Sequence, residues 1–191
     1  MPDYALPFPT RELAEKELSY DVCYAKIPPA ARGPIVEAAW EKGAAAARGV
    51  YAEQNGETDF FKIARASGLR VEEKDIDYVV GQQRYFSDYV SGKGLVTLYL
   101  RSVDLWAQQN GLDRYTAENV ILSHEYFHFL EWTKLGLTSK DYQVPMLQLG
   151  KLRLGRTGVR ALSEIGAHAF ARTYYELTEQ EEQAHGKTLE G

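Results

Sequence analysis

YTAENVILSHEYFHFLEWTKLG, residues 115–136, places apolar side chains at Ala117, Val120, Ile121, Phe127 and Leu130. Spacings of three and four along that set are those of one face of an α-helix. Thr116 stands where a side chain can cap the N-terminus, and Glu118 lies in the first turn, where the helix dipole favours a carboxylate. Gly136 is placed to end the helix after Leu135, and no proline interrupts the span. His124 and His128 fall on the same stripe as the apolar residues, so both imidazoles are expected to face inward.

Together with Glu125 the two histidines form an H-E-x-x-H pattern, and two of the chain's four histidines are used in it. Imidazoles one helical turn apart can share one metal ion, zinc first among them, and the intervening glutamate can serve as a general base. A helical neighbour points about 100° away from His124, which suits Glu125 to proton transfer better than to coordination. Manganese, iron or nickel also suit such a ligand set. A catalytic site of this type takes a third protein ligand. The longer continuation H-x-x-G-x-x-H is absent, because Glu131 and Lys134 stand where its glycine and histidine belong. Residues 157–177 offer another source. There Val159, Leu162, Ile165, Ala169 and Phe170 mark an apolar arc, and Glu164 lies beside it among the small residues Ala161, Gly166 and Ala167. Small neighbours let this helix approach another closely, as a metal shared between helices requires.

The segment EIGAHAFA, residues 164–171, resembles the E-x-x-A-N-x-F-A helix that follows the H-E-x-x-H helix in the ImmA/IrrE metallopeptidases. Residues 59–71 are similar to that family's opening helix, which ends at a glycine and leads into a strand, and a hairpin within residues 78–101 fits the same plan. The resemblance covers roughly residues 59–177. It implies a zincin-like fold of the gluzincin type, with His124, His128 and Glu164 as zinc ligands, Glu125 as general base, and protein substrates such as transcriptional repressors. Two departures stand out: Tyr126 and Phe127 replace the usual Leu-Gly, and His168 replaces the asparagine four residues after the ligand glutamate. At that spacing His168 lies beside Glu164, able to orient its carboxylate, donate to a developing oxyanion or bind metal itself. Tyr174 and Tyr175 are further oxyanion candidates.

Elsewhere, residues 10–20 read as a capped helix with Leu13 and Leu18 inward, broken by the proline-rich stretch from Ile27. Residues 35–54 form a long Ala-rich helix closed by Asn55-Gly56, and residues 59–67 a short one ending at Gly68. Strands are expected at 70–74, irregularly over 78–90, and at 95–101 after a turn at 91–94. A short helix follows over 102–111. If the strand at 95–101 lies at a sheet edge above the metal, it can pair with an extended peptide. Residues 140–154 show no periodicity and read as a flap or cleft wall interrupted by Pro145 and Gly150. The fold class is therefore α+β, mostly helical, with a small mainly antiparallel sheet beside the H-E-x-x-H helix. The chain reads as one domain: a helical N-terminal extension over 1–55, a core over 56–178 and a frayed acidic tail over 179–191, with His185 solvated in it.

At 191 residues the chain can bury about 70% of its unfolded surface without metal or disulfide support, so a zinc site would serve function first. Cys23, the sole cysteine, reads as a small apolar helix residue and excludes both an internal disulfide and a Cys-based zinc site. The net charge of −5 gives no electrostatic footprint for nucleic acid, and Lys151, Arg153, Arg156 and Arg160 read as a solvated loop and helix start. No apolar run approaches the roughly 20 residues of a membrane span, and the first residues lack a signal-peptide pattern, so a cytoplasmic location is the expectation. Two functional classes follow: a zinc-dependent peptidase, or a non-hydrolytic binding protein that keeps a metal-bound fold. The intact Glu125 favours the peptidase.

Overall fold

The computed structural model describes the backbone of residues 9–149 and 152–189 and the side chains of 9–146 and 154–180. The architecture is α+β. In chain order the elements are α1 (Ala14–Ser19), α2 (Pro29–Glu53), α3 (Phe60–Ala66), β1 (Arg70–Lys74), β2 (Tyr78–Val80), β3 (Gln83–Tyr85), β4 (Ser87–Val90), β5 (Leu95–Tyr99), α4 (Leu100–Gln109), α5 (Arg114–Leu130), β6 (Gln143–Leu149), β7 (Leu152–Gly158) and α6 (Ala161–Leu189). Among the described residues no helix is long and apolar enough to cross a membrane.

Helices α2, α5 and α6 meet at glycine. A methyl group built on Gly43 would overlap the Gly166 carbonyl, and one on Gly166 would press on the Phe127 ring. The close approach expected of the small residues on α6 is thus real, and it is made to α2 as well as to α5. Phe60, Phe127, Phe170 and Tyr174 fill the space beneath, with Phe60 and Tyr174 edge-on at 4.7 Å between ring centroids. A second cluster joins Leu18, Ile27, Val36, Val159, Leu162 and Ile165. The described part of the N-terminal segment therefore belongs to the core, where it was expected as an extension.

Several local expectations need correction. The cap of α5 is Asp113, whose carboxylate accepts from the Thr116 backbone N–H; Thr116 lies inside the helix and spends its hydroxyl on Asp113. Glu118 is buried. Helix α2 begins at Pro29, with Pro34 inside it: Pro34 and Ala30 are both exposed, so the ring projects into solvent and the carbonyl it leaves unpaired can be hydrated. Leu13 is 50% exposed and Ala14 takes the inward position beside Leu18. Cys23 is buried in a turn preceding a 3-10 segment, outside any α-helix.

The main sheet runs β1-β5-β4, with β5 parallel to β1 and antiparallel to β4. Strand β5 is therefore central, and Val96, Thr97, Leu98 and Tyr99 are all buried. The condition for peptide pairing at β5, a place at the sheet edge, is therefore not met: the edge strands are β1 and β4. Residues 140–154, expected as an aperiodic flap, fall largely in the β6–β7 hairpin, which runs on to Gly158 with Pro145 paired to Arg156. Gly150 and the side chains of Lys151 and Arg153 lie outside the described residues, while Arg156 and Arg160 are exposed. Helix α6 starts at Ala161 and continues through Leu189, past the point where fraying was expected. The side chain of His185 lies outside the described residues.

Candidate metal centre

Helix α5 turns His124 and His128 toward α6, which brings Glu164 opposite them. His124 Nε2 lies 3.3 Å from Glu164 Oε2, and His128 Nε2 lies 3.6 Å from Glu164 Oε1. One donor atom from each residue falls within 4.8 Å of the other two. The histidine side chains are 16% and 15% exposed and the Glu164 side chain 46%, so the group is shielded below and open above. Two imidazole nitrogens aimed at one carboxylate repel as lone pairs unless a cation stands between them. Protons can fill that role in the metal-free protein. Burial opposes the positive charge of His128, but the hydrogen bonds it donates to Glu131 and Glu164 outweigh that and hold its pKa at about 10. Burial likewise opposes the charge of Glu164, yet the two histidines hold its carboxyl far below the usual range. A divalent metal satisfies the same three atoms at once, and two nitrogens with one oxygen suit zinc.

Glu125 is 8% exposed and stands outside this donor group. Its Oε1 accepts a 2.6 Å hydrogen bond from Ser87 Oγ on β4, which aims the carboxylate across the cleft mouth. Glu131, at the start of a π-helical turn spanning Glu131–Leu135, is 3% exposed and contacts His128 Nδ1 at 2.9 Å. Neither partner was anticipated. Glu131 follows His128 by three residues, a helical neighbour spacing that could have marked it; a lone serine on a strand carries no comparable signal. Glu17 on α1 is a third addition: burial and then repulsion from Glu164 raise its carboxyl, so the first helix brings another acid within electrostatic range.

His168 lies with its ring centroid 5.0 Å from that of His124. Among the described residues it makes no hydrogen bond to Glu164, and it is not one of the three grouped donors. Burial and the neighbouring His124 pull its pKa down to about 3, leaving a neutral imidazole at pH 7. The other two oxyanion candidates are displaced. Tyr174 donates to the Glu57 carbonyl at 2.6 Å inside the core, and Tyr175 is buried at 6% exposure; neither lines a cavity at the centre.

Two cavities adjoin the centre and share His124, Glu125 and Glu164 as lining. One, of about 380 Å³, is walled by Phe86, Trp106, Ile121 and His168. The other, of about 560 Å³, is bounded by Tyr89, Trp132, Ser139 and Arg160. His124 and Glu164 thus face both compartments, and His128 lines the second. The base of the 137–139 loop walls the second compartment, whereas the β6–β7 hairpin borders a separate depression with Lys26 and Pro28. Comparison of the chain with protein families, curated proteins and solved structures returned no match.

Proposed function

We propose that this protein is a zinc-dependent metallopeptidase with a zincin-like site of the two-histidine, one-glutamate kind, as its resemblance to the ImmA/IrrE family implies. The observation that carries the reading is the grouping of His124, His128 and Glu164 in one 4.8 Å cluster while the adjacent Glu125 stays outside it, held by Ser87 at the cleft. A protein that needed only a metal-stabilised fold has no use for that fourth group.

His124, His128 and Glu164 would hold the ion. When bound, it supplies Lewis acidity that activates water and polarises a carbonyl. Glu125 accepts the proton of the attacking water and delivers it to the departing amine, the task of a general base that becomes a general acid. His168, neutral and lining the same cavity, is available as an N–H donor to oxygen charge that develops there. Strand β4 pairs with β5 alone among the described residues, and its Ser87 and Tyr89 line the cleft. An extended substrate can add to that edge by backbone hydrogen bonds. The substrate class is therefore a protein or peptide, with a transcriptional regulator as the family resemblance suggests.

The test is Glu125→Gln against wild type, each loaded with zinc. Retained metal with hydrolysis reduced by roughly 10²–10⁴-fold is expected of a lost general base. Equal hydrolysis by both proteins would remove Glu125 from the mechanism. Absence of hydrolysis in wild type across a diverse peptide library would favour the binding-protein class.

A further inference from the structure

Glu131 occupies the position where longer H-E-x-x-H patterns carry glycine, and it is among the most buried charged groups described, at 3% exposure. An ionised carboxylate taken out of water is strongly destabilising unless donors surround it. Here they do. Oε2 meets His128 Nδ1 at 2.9 Å, while Oε1 accepts from the Thr138 backbone N–H at 2.7 Å and from Ser163 Oγ at 2.8 Å. Ser163 in turn accepts from the Ser139 N–H at 3.1 Å and immediately precedes Glu164. One carboxylate thus touches a histidine of α5, the loop after it, and the residue beside the glutamate of α6. The π-helical turn that begins at Glu131 is an uncommon device, seen often at functional sites.

The chemistry of the pair fixes a proton. An ionised carboxylate only accepts hydrogen bonds, so His128 must carry hydrogen on Nδ1, and in the neutral ring the lone pair is left on Nε2, the atom that faces Glu164. We propose that Glu131 is a positioning residue for the metal centre: it sets the tautomer and ring orientation of His128, so that the centre binds metal more tightly, while Ser163 is one of two further donors that keep the carboxylate ionised. This rests on the metal-binding reading above and extends it to a residue outside the H-E-x-x-H…E set.

Glu131→Gln separates the two roles of the side chain. The amide oxygen can keep the bonds from Thr138 and Ser163, but the amide NH₂ then stands where Oε2 stood and donates. His128 Nδ1 must accept, which moves the ring proton to Nε2, the ligating atom. Ser163→Ala does the converse: it removes one bond to Glu131 and leaves the tautomer alone. Zinc affinity is measured by competition with a chromophoric chelator for wild type, Glu131→Gln and Ser163→Ala, with thermal unfolding of each metal-free protein and the visible spectrum of each cobalt form. The expected result is a 10- to 100-fold loss of zinc affinity in Glu131→Gln with an altered cobalt spectrum, and a loss under about threefold in Ser163→Ala. Equal affinity in Glu131→Gln and wild type would overturn the inference while leaving the metal centre standing. Parallel losses in both variants, tracking their unfolding temperatures, would reduce Glu131 to a structural group and also overturn it. A wild type that binds no zinc would overturn the metal centre and this inference together.

Discussion

Ser87 Oγ donates a 2.6 Å hydrogen bond to Glu125 Oε1, linking the edge strand of the sheet to the glutamate of the H-E-x-x-H helix. The same strand edge that is open to an extended chain therefore also aims the group that must handle the proton. Removing the hydroxyl leaves Glu125 in place but free to rotate. In Ser87→Ala, kcat is expected to fall by roughly tenfold with zinc affinity unchanged, since Ser87 touches no ligand. Steady-state kinetics beside chelator competition checks this; an unchanged kcat would remove Ser87 from the mechanism.

The metal-free protein carries a pH signature. His128 has a folded pKa of about 10, above the usual value of 6.5, so it adds stability that is fully present below about pH 6.5 and is lost as pH rises toward 10. Glu164 is shifted the other way, and its contribution is present above its unfolded value and lost in acid. His168, pulled down to about 3, binds a proton more readily when unfolded and so also weakens the fold as pH falls below 6.5. The unfolding temperature of chelator-treated protein should decline from about pH 6.5 to 10. Zinc should suppress that decline, because metal replaces the proton on the ligand nitrogens. A metal-free protein whose stability rises over this interval would contradict the geometry at His128.

Gly43 sits where α2 meets the Gly166 carbonyl of α6. Backbone cannot yield as a flexible side chain can, so Gly43→Ala must push the helices apart. A loss of about 1–3 kcal/mol or more is expected by denaturant unfolding. Weakened zinc binding should accompany it, because α6 carries Glu164. Full stability in Gly43→Ala would show that the two helices are less tightly seated.

The cavity walled by Phe86, Trp106 and Ile121 adjoins His124 and Glu125 and holds about 380 Å³. Phe86 and Trp106 stand 5.7 Å apart between ring centroids and are only partly buried, leaving apolar surface toward the cleft. Peptides with a large apolar side chain next to the cleaved bond should be preferred. Trp106→Ala should raise KM for them by roughly 10-fold with a smaller effect on kcat. A library profile indifferent to that side chain would refute the assignment.

The histidines and their helix were legible because a 3.6-residue period is a local property, and Glu164 because a glutamate among small residues marks a close helix contact. What escaped depends on pairing across the chain. Ser87 and Glu125 are 38 residues apart, and nothing near Ser87 indicates the bond. Strand β5 carries no local sign of its central place, which comes from hydrogen bonding to β1 on one side and β4 on the other. The β6–β7 hairpin showed no period because most of its described side chains are exposed, leaving little of a buried face to impose alternation. Pro34 suggested a break, yet an exposed proline near a helix start forfeits only one hydrogen bond and its ring clears the core. Glu131 departs from a longer pattern, and its three-residue distance from His128 is a local sign of their contact.

The most direct test of the centre is the zinc content of wild type and Glu164→Ala, purified side by side without added metal or chelator. One zinc per chain in wild type, falling sharply in the variant while the fold is retained, is the expected result. Wild type without metal, and with an unfolding temperature indifferent to added zinc, would contradict a metal centre built by His124, His128 and Glu164.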